Sequence, residues 1–383
     1  MKRNLLFFVD YYLPGYKAGG PVTSIANLVD FLGEEANINI VTRNHDQGDN
    51  IPYRNLKSQK SVSIGKATVK YLSKKHYSFR HFLTTIHRCN PSIIYLNSAF
   101  SWHFSIKILL LKKLGLLSDV QLVMAPRGEL SLAALKLKRV KKKIFLAVAK
   151  LFNLYNNVKF QAASLQEAGD IQKVFGSKVP IFIAKDLSRL PTYQTFTAEK
   201  RNGLKIVFFS RISPMKNLSY VIDCLSYFQS ENDLISLDVY GPKEDKTYWN
   251  KCISVAKHLP DNIKINYFGE LHPSEVHKTL KQYDLFFLPT LGENYGHVIY
   301  EALAAGCPIL ISDQTPWRDL EKLNVGWDVN LTHKKYFIEI INKLIPMEEK
   351  DFSKYRQSCL VYAKKIASDT KNLEANRRLF LQE

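Results

Sequence analysis

The sequence predicts an α/β protein built from two doubly wound, mostly parallel sheets in separate domains, and three observations carry that prediction. Short β-rich runs alternate with helical patterns from end to end. Several of those runs are apolar throughout, as parallel strands covered on both faces require. At 383 residues the chain exceeds what one typical core accommodates. Such alternation builds βαβ units.

The first strand is expected at residues 5–9. It follows Met1-Lys2-Arg3 and stops at Asp10, well short of a secretory apolar region and with no small-residue cleavage site after it. Further strands are expected at 38–42, 69–72, 93–96, 121–125, 159–162 and 181–184, with helices over 21–32, 79–88, 105–114 and 165–174. The second half repeats the scheme, with strands at 205–209, 236–240, 264–268, 285–288, 308–312 and 326–329. The stretch 186–203 is polar, carries proline and glycine, shows no clear period and marks the boundary. The expected domains are 1–187 and 204–365, with a C-terminal helix in 366–383 packing back on the first.

Hydrophobic content of 46% and charged content of 23% are ordinary for a globular chain, but the net charge of +19 is not. A cation of that size seeks nucleic acid, anionic lipid or phosphorylated ligands. No RNP, KH or zinc-finger signature accompanies the charge, so nucleic acid is not expected. Five scattered cysteines without CxxC spacing read as reduced thiols of a cytoplasmic protein. No segment approaches the roughly 18 apolar residues of a membrane span, leaving a soluble protein or one at a membrane surface. There is no DxD, HExxH or Cys/His cluster, so neither a metal nor another cofactor is expected. A GxGxxG fingerprint is also missing, which argues against a nicotinamide enzyme.

The most informative stretch is Gly292-Glu293-Asn294-Tyr295-Gly296-His297-Val298-Ile299-Tyr300-Glu301, between an apolar strand and a helix. A loop feeding a helix N-terminus offers N–H groups and a positive dipole end to an anion. Ionised carboxylates on either side accept hydrogen bonds from hydroxyls. Phosphate between hydroxyl-rich groups describes a nucleotide-sugar. Arg211 and Lys216 follow strand 205–209 on another strand-to-helix loop, where two cations could clamp a diphosphate.

In the first half, Gly19 and Gly20 precede a helix opened by Pro21, and their amides could approach a phosphate. Asn97, Arg127 and Glu129 lie just past strand ends, where open α/β sheets bind ligands; an Arg127–Glu129 pair pinning the loop carries equal weight. His103, in an aromatic stretch, reads as packing. Residues 136–151 form a basic amphipathic helix with Leu137, Val140, Ile144, Ala147 and Leu151 at helical spacing. Its Lys136, Lys138, Arg139, Lys141, Lys142 and Lys143 suit an anionic membrane surface, or else a solvated outer face of a core helix.

Together these residues resemble a family-4-type glycosyltransferase of the GT-B fold, of the kind that builds bacterial O-antigen, capsule or exopolysaccharide. The resemblance rests on an E-x7-E element from Glu293 to Glu301, an R-x4-K element from Arg211 to Lys216, and the Ala18-Gly19-Gly20-Pro21 loop. Leu96-Asn97-Ser98, Ala125-Pro126-Arg127-Gly128-Glu129-Leu130-Ser131 and Ala163-Ser164-Leu165-Gln166-Glu167 extend it over nearly the whole chain. It implies a retaining hexosyl transfer from a nucleoside-diphosphate sugar without an obligatory metal. The acceptor, a lipid-linked or oligosaccharide glycan, would enter from the N-terminal domain. By the resemblance, Glu293, Arg211, Lys216 and Arg127 are catalytic candidates. Gly19, Gly20, Asn294, Tyr295, Gly296, His297 and Glu301 are donor-binding candidates, and Asn97 and Glu129 lie on the acceptor side.

Two departures stand out. Met124-Ala125-Pro126-Arg127 occupies the region where many members carry a histidine, and Ala184-Lys185-Asp186-Leu187 replaces the usual Asn-Gly end of the linker. The competing readings are a non-catalytic nucleotide-sugar or glycan-binding protein and a sugar-nucleotide epimerase. The expected location is the cytoplasm, peripherally at the inner face of the plasma membrane.

Overall fold

The computed structural model describes residues 2–54, 56, 60–117, 119–136, 139–191 and 203–382. The chain forms two compact units, Met1–Leu187 with Asp369–Glu383, and Ser188–Ser368.

The first unit carries strands β1 (Arg3–Phe8), β2 (Ala36–Arg43), β3 (Ser61–Ile64), β4 (Ala67–Leu72), β5 (Ile93–Leu96), β6 (Gln121–Met124), β7 (Val158–Ala162) and β8 (Ile181–Ile183). They form one sheet in the order β3-β4-β2-β1-β5-β6-β7-β8. Every pairing is parallel except β3 with β4, which is antiparallel. Helices α1 (Gly20–Leu32), α2 (Phe79–Cys89), α3 (Lys107–Lys113), α4 (Leu132–Lys136), α5 (Arg139–Leu151) and α6 (Leu165–Phe175) join the strands. Because side chains alternate across a strand, Leu6 and Phe8 of β1 enter one core while Leu5 and Phe7 enter another on the opposite face.

The second unit carries β9 (Leu204–Phe209), β10 (Ile235–Tyr240), β11 (Ile263–Gly269), β12 (Leu285–Leu288), β13 (Ile309–Ser312) and β14 (Gly326–Val329). Their order is β11-β10-β9-β12-β13-β14, with all pairings parallel. Helices α7 (Leu218–Leu225), α8 (Lys246–Ala256), α9 (Pro273–Leu280), α10 (His297–Ala304), α11 (Lys334–Leu344) and α12 (Glu349–Ala367) cover the sheet. The last helix, α13 (Thr370–Leu381), belongs to the first unit. Its Phe380 ring lies 5.8 Å from Phe7 and 5.2 Å from Tyr95, and Asn376 donates to the Lys185 carbonyl at 3.0 Å.

Two doubly wound α/β units are therefore present, as the alternation of runs predicted. In each sheet the order of strands reverses once, between β1 and β5 and between β9 and β12. Such switch points open a crevice beyond the carboxyl ends of the strands. The sequence reading missed β3, a four-residue edge strand in which exposed and half-buried residues alternate, too short and too polar to show a period. The expected helix over 105–114 begins earlier, in a π-helical turn at Trp102–Ile106 that runs into α3.

Candidate functional site

In the second unit the loops after β9 and β12 flank the switch point, and backbone contacts fix one against the other. Leu291 N donates to the Met215 carbonyl at 2.8 Å, and Thr290 Oγ1 donates to the same oxygen at 3.0 Å. Asn217, left-handed at φ 63° as it caps α7, donates through Nδ2 to the Pro289 carbonyl at 3.0 Å. On the other side Glu293 N donates to the Gln314 carbonyl, past β13, at 2.9 Å. This clamp brings Lys216 Nζ to 2.5 Å from Glu293 Oε2. Both side chains are largely buried, at 9% and 18% exposure.

Arg211, on the same loop as Lys216, turns elsewhere. Its guanidinium pairs with Glu244, beyond β10, at 2.8 Å, with both partners 40% exposed. A pair that open to water is worth little, so the guanidinium can be recruited by another anion at small cost.

Gly296 caps the start of α10 at φ 80°, and a Cβ there would lie 2.8 Å from Ile299 Cδ1 and 3.0 Å from Glu293 Cγ. No side chain caps this end of the helix, so its first N–H groups keep the donor capacity that suits an anion. Tyr295 is held from two sides: its carbonyl accepts from Trp317 Nε1 at 2.6 Å, and its hydroxyl lies 2.6 Å from Ser188 Oγ. The His297 ring, also buried, sits 4.9 Å from that of Tyr295. Asn294, just before Tyr295 in the loop, is half-buried. Glu301 follows one turn on. Burial pushes its carboxyl from the ordinary 4.5 up to about 7, opposed by the nearby His297.

In the first unit, the Gly19 that caps α1 adopts φ 69°, and a Cβ there would meet nothing within 4 Å. Glycine is needed for the backbone sign alone. Gly20 opens the helix, and its carbonyl accepts from Ser24 Oγ at 3.0 Å. Arg127, at φ 55°, lies buried with all three of its nitrogens engaged. Nε donates to Asn97 Oδ1 at 2.7 Å, Nη2 to the Tyr95 hydroxyl at 2.8 Å, and Nη1 pairs with Asp186. Asp186 also accepts from Ser24 Oγ at 2.8 Å. The network thus ties the first turn of α1 to the end of β6.

The alternative of an Arg127–Glu129 pair is corrected. Glu129 instead accepts from Ser98 Oγ at 2.9 Å and from Ala99 N at 2.7 Å. Burial holds its carboxyl near 7 against those two donors. Each nitrogen of the Arg127 guanidinium is engaged, by Asn97, Tyr95 and Asp186. Asp186 and Glu244 were not singled out from the sequence. Their partners lie 59 and 33 positions away, a separation no local pattern encodes. His103 is packed as expected, its ring 4.9 Å from Tyr77.

Leu146 and Ala149 are the buried residues of α5, while Val140, Ile144 and Leu151 are exposed. The apolar stripe read from the sequence is therefore not the core-facing side. Leu137 and Lys138 lie outside the described residues. No described helix is long and apolar enough to cross a membrane.

Residues 192–365 match the model of the family described as glycosyl transferases group 1. The segment similar to that family carries Lys216, Glu293 and Glu301. A 120-residue stretch is 25% identical to the phosphatidyl-myo-inositol mannosyltransferase of Mycobacterium leprae, over 31% of this chain and 30% of that protein. The match therefore spans under a third of the relative's length. Among solved structures, HepE of Anabaena in complex with UDP-glucose is similar over 98% of both chains, with a TM-score of 0.69 and 16% identity. Sucrose-phosphate synthase of Thermosynechococcus elongatus is similar over 100% of this chain and 99% of its own, with a TM-score of 0.74 and 12% identity. At these identities the likeness is one of fold, GT-B, and fold alone does not assign a substrate.

Proposed function

We propose that the protein is a retaining, family-4-type glycosyltransferase that moves a hexose from a nucleoside-diphosphate sugar to a lipid-linked or oligosaccharide glycan. Bacterial surface-polysaccharide assembly at an anionic inner membrane face is the setting that fits. The observation that carries the reading is Glu301, a half-buried carboxylate near His297 and one helical turn from the open N-terminus of α10. A carboxylate partly withdrawn from water gains from hydrogen-bond donors, and a ribose supplies two hydroxyls. The M. leprae relative, by its name, transfers mannose, and the Anabaena structure holds UDP-glucose, which supports a nucleotide-sugar donor here.

In this reading the donor diphosphate lies against the first turn of α10, with Lys216 and Arg211 as its cations. Charge developing on the leaving phosphate is then met by groups already in place, which is usually the largest catalytic contribution. Glu293 and the backbone of Asn294–His297 face the donor sugar. Retention follows the family resemblance, with the acceptor hydroxyl attacking on the face the phosphate leaves and no metal required. In this reading Arg127 acts by holding the loops of the first unit through Asn97, Tyr95 and Asp186, while Gly19 and Gly20 serve the donor and Asn97 and Glu129 lie on the acceptor side.

A thermal-shift panel of nucleoside-diphosphate sugars, followed by turnover with the stabilising donor and mixed glycan acceptors, tests this. A ligand that binds only the native state raises its apparent stability. Stabilisation by one donor and its acceptor-dependent consumption are expected, both lost in Glu301→Gln. Binding without consumption would leave a binding protein, and donor conversion without acceptor an epimerase.

A further inference from the structure

We infer that the outer face of α5 enters a membrane surface through an apolar stripe, with lysines on both sides of it holding anionic headgroups. The inner side of the helix is occupied: Leu146 and Ala149 are buried in the core, Phe145 packs 5.7 Å from Phe100, and Lys142 turns inward to donate to the Ala134 carbonyl at 2.8 Å. The outer side carries Val140, Ile144 and Leu151 at 69%, 59% and 77% exposure. At about 100° per residue, Val140, Ile144, Ala147 and Leu151 fall within roughly 60° of arc, opposite Leu146 and Ala149. Phe152, exposed, continues the stripe past the helix end.

The flanks carry the charge. On the same helical wheel Arg139, Lys143 and Lys150 lie to one side of the stripe and Lys141 to the other. The surrounding chain contains no acid from residue 130 to residue 166, while Lys136, Lys138, Arg139, Lys141, Lys142, Lys143, Lys150 and Lys159 fall within it. A second copy of this chain would set those cations against one another at the same patch. An anionic bilayer matches both the stripe and its flanks, which is how an interfacial helix binds. The helix thus has two apolar sides, one for the core and one for lipid. The inference deepens the membrane setting proposed above and needs no donor or acceptor to be tested.

The experiment is flotation of the full-length protein with phosphatidylcholine vesicles, with and without 30% phosphatidylglycerol by way of roughly physiological anionic charge. Binding to the anionic vesicles alone is expected. Val140→Ser/Ile144→Ser/Leu151→Ser should weaken it by at least roughly tenfold with every lysine kept, and thermal melts verify that the variant is folded. In a separate Ile144→Trp protein, vesicles should shift the new emission to the blue, and lipids brominated near the headgroup should quench it. Unchanged binding by the triple serine variant would overturn insertion and leave surface charge alone. A concentration-dependent dimer that the same variant abolishes, with no vesicle binding by the parent, would replace the membrane with a second copy. Loss of sugar transfer alongside intact flotation would count against the proposed activity and leave this inference standing.

Discussion

Lys216 and Glu293 form a largely buried ion pair, Nζ to Oε2 at 2.5 Å, across the switch point of the second sheet. They are 77 residues apart in sequence and stand on loops that follow β9 and β12. The pair fixes one loop against the other, and in the proposed reading a nucleoside diphosphate at α10 would share Lys216 with Glu293.

Breaking that pair should cost stability as well as turnover. Lys216→Ala leaves the Glu293 carboxylate desolvated, and removing one member of a buried pair costs roughly 3–5 kcal/mol. Turnover is expected to fall by at least about 100-fold, as when a preorganised charge is removed. Glu293→Gln keeps the shape and should destabilise less. Urea unfolding and single-turnover assays separate the two effects; wild-type turnover in Lys216→Ala would exclude the cation from catalysis.

Glu301 and Glu129 should make stability fall as pH rises. Burial raises both carboxyls from the ordinary 4.5 to about 7 in the folded protein. The folded state then keeps protons that the unfolded chain has already released between pH 4.5 and 7. The contribution of each is fully present below pH 4.5 and is lost as pH passes through about 7, by up to roughly 3 kcal/mol per group. Glu301→Gln and Glu129→Gln should each flatten the curve, read by urea titrations at pH 5 and pH 8. Equal slopes in parent and variants would remove these two groups as its source.

Donor binding should carry a proton signature. If ribose hydroxyls satisfy the ionised Glu301, binding lowers its pKa and releases a proton near pH 7. Calorimetry in buffers of different ionisation enthalpy measures that proton, and Glu301→Gln should abolish it. A buffer-independent enthalpy at pH 7 would place the carboxylate away from the donor.

Arg127→Met should unfold the first unit more readily without touching the second. It removes the guanidinium that balances the charge of Asp186, whose side chain is 5% exposed, at about 3–5 kcal/mol. The double variant Arg127→Met/Asp186→Leu should recover much of the loss, and a double-mutant cycle by thermal melts gives the coupling. Additive effects would show that the pair is not coupled.

Two glycines should respond differently to alanine. At Gly296 a Cβ meets Ile299 and Glu293, in addition to the positive φ, so both loop position and donor affinity should suffer. At Gly19 the space is open, and only the backbone penalty of about 1–2 kcal/mol remains. Crystal structures or chemical shifts of the Glu293 loop in the two variants distinguish them.

Much of the fold was legible because parallel strands covered on both faces must be apolar throughout, and such runs stand out between helical periods. The loops just past the strand ends followed from the same pattern, while the strand order and its switch points came only with the structure. Glu293, Glu301, Arg211 and Lys216 could be picked out as chemistry-bearing residues at strand ends. β3 could not be seen, since its edge position asks for no apolar face.

Sequence by itself determined two doubly wound units and the loops that face their crevices, because period and apolar run are local properties of the chain. Tertiary structure alone decided which charges meet. Lys216 went to Glu293 rather than standing beside Arg211, Arg127 to Asp186 rather than Glu129, and the apolar stripe of α5 to the outside. Pairing energies depend on distance and desolvation between residues tens of positions apart, and those are fixed only when the sheets close.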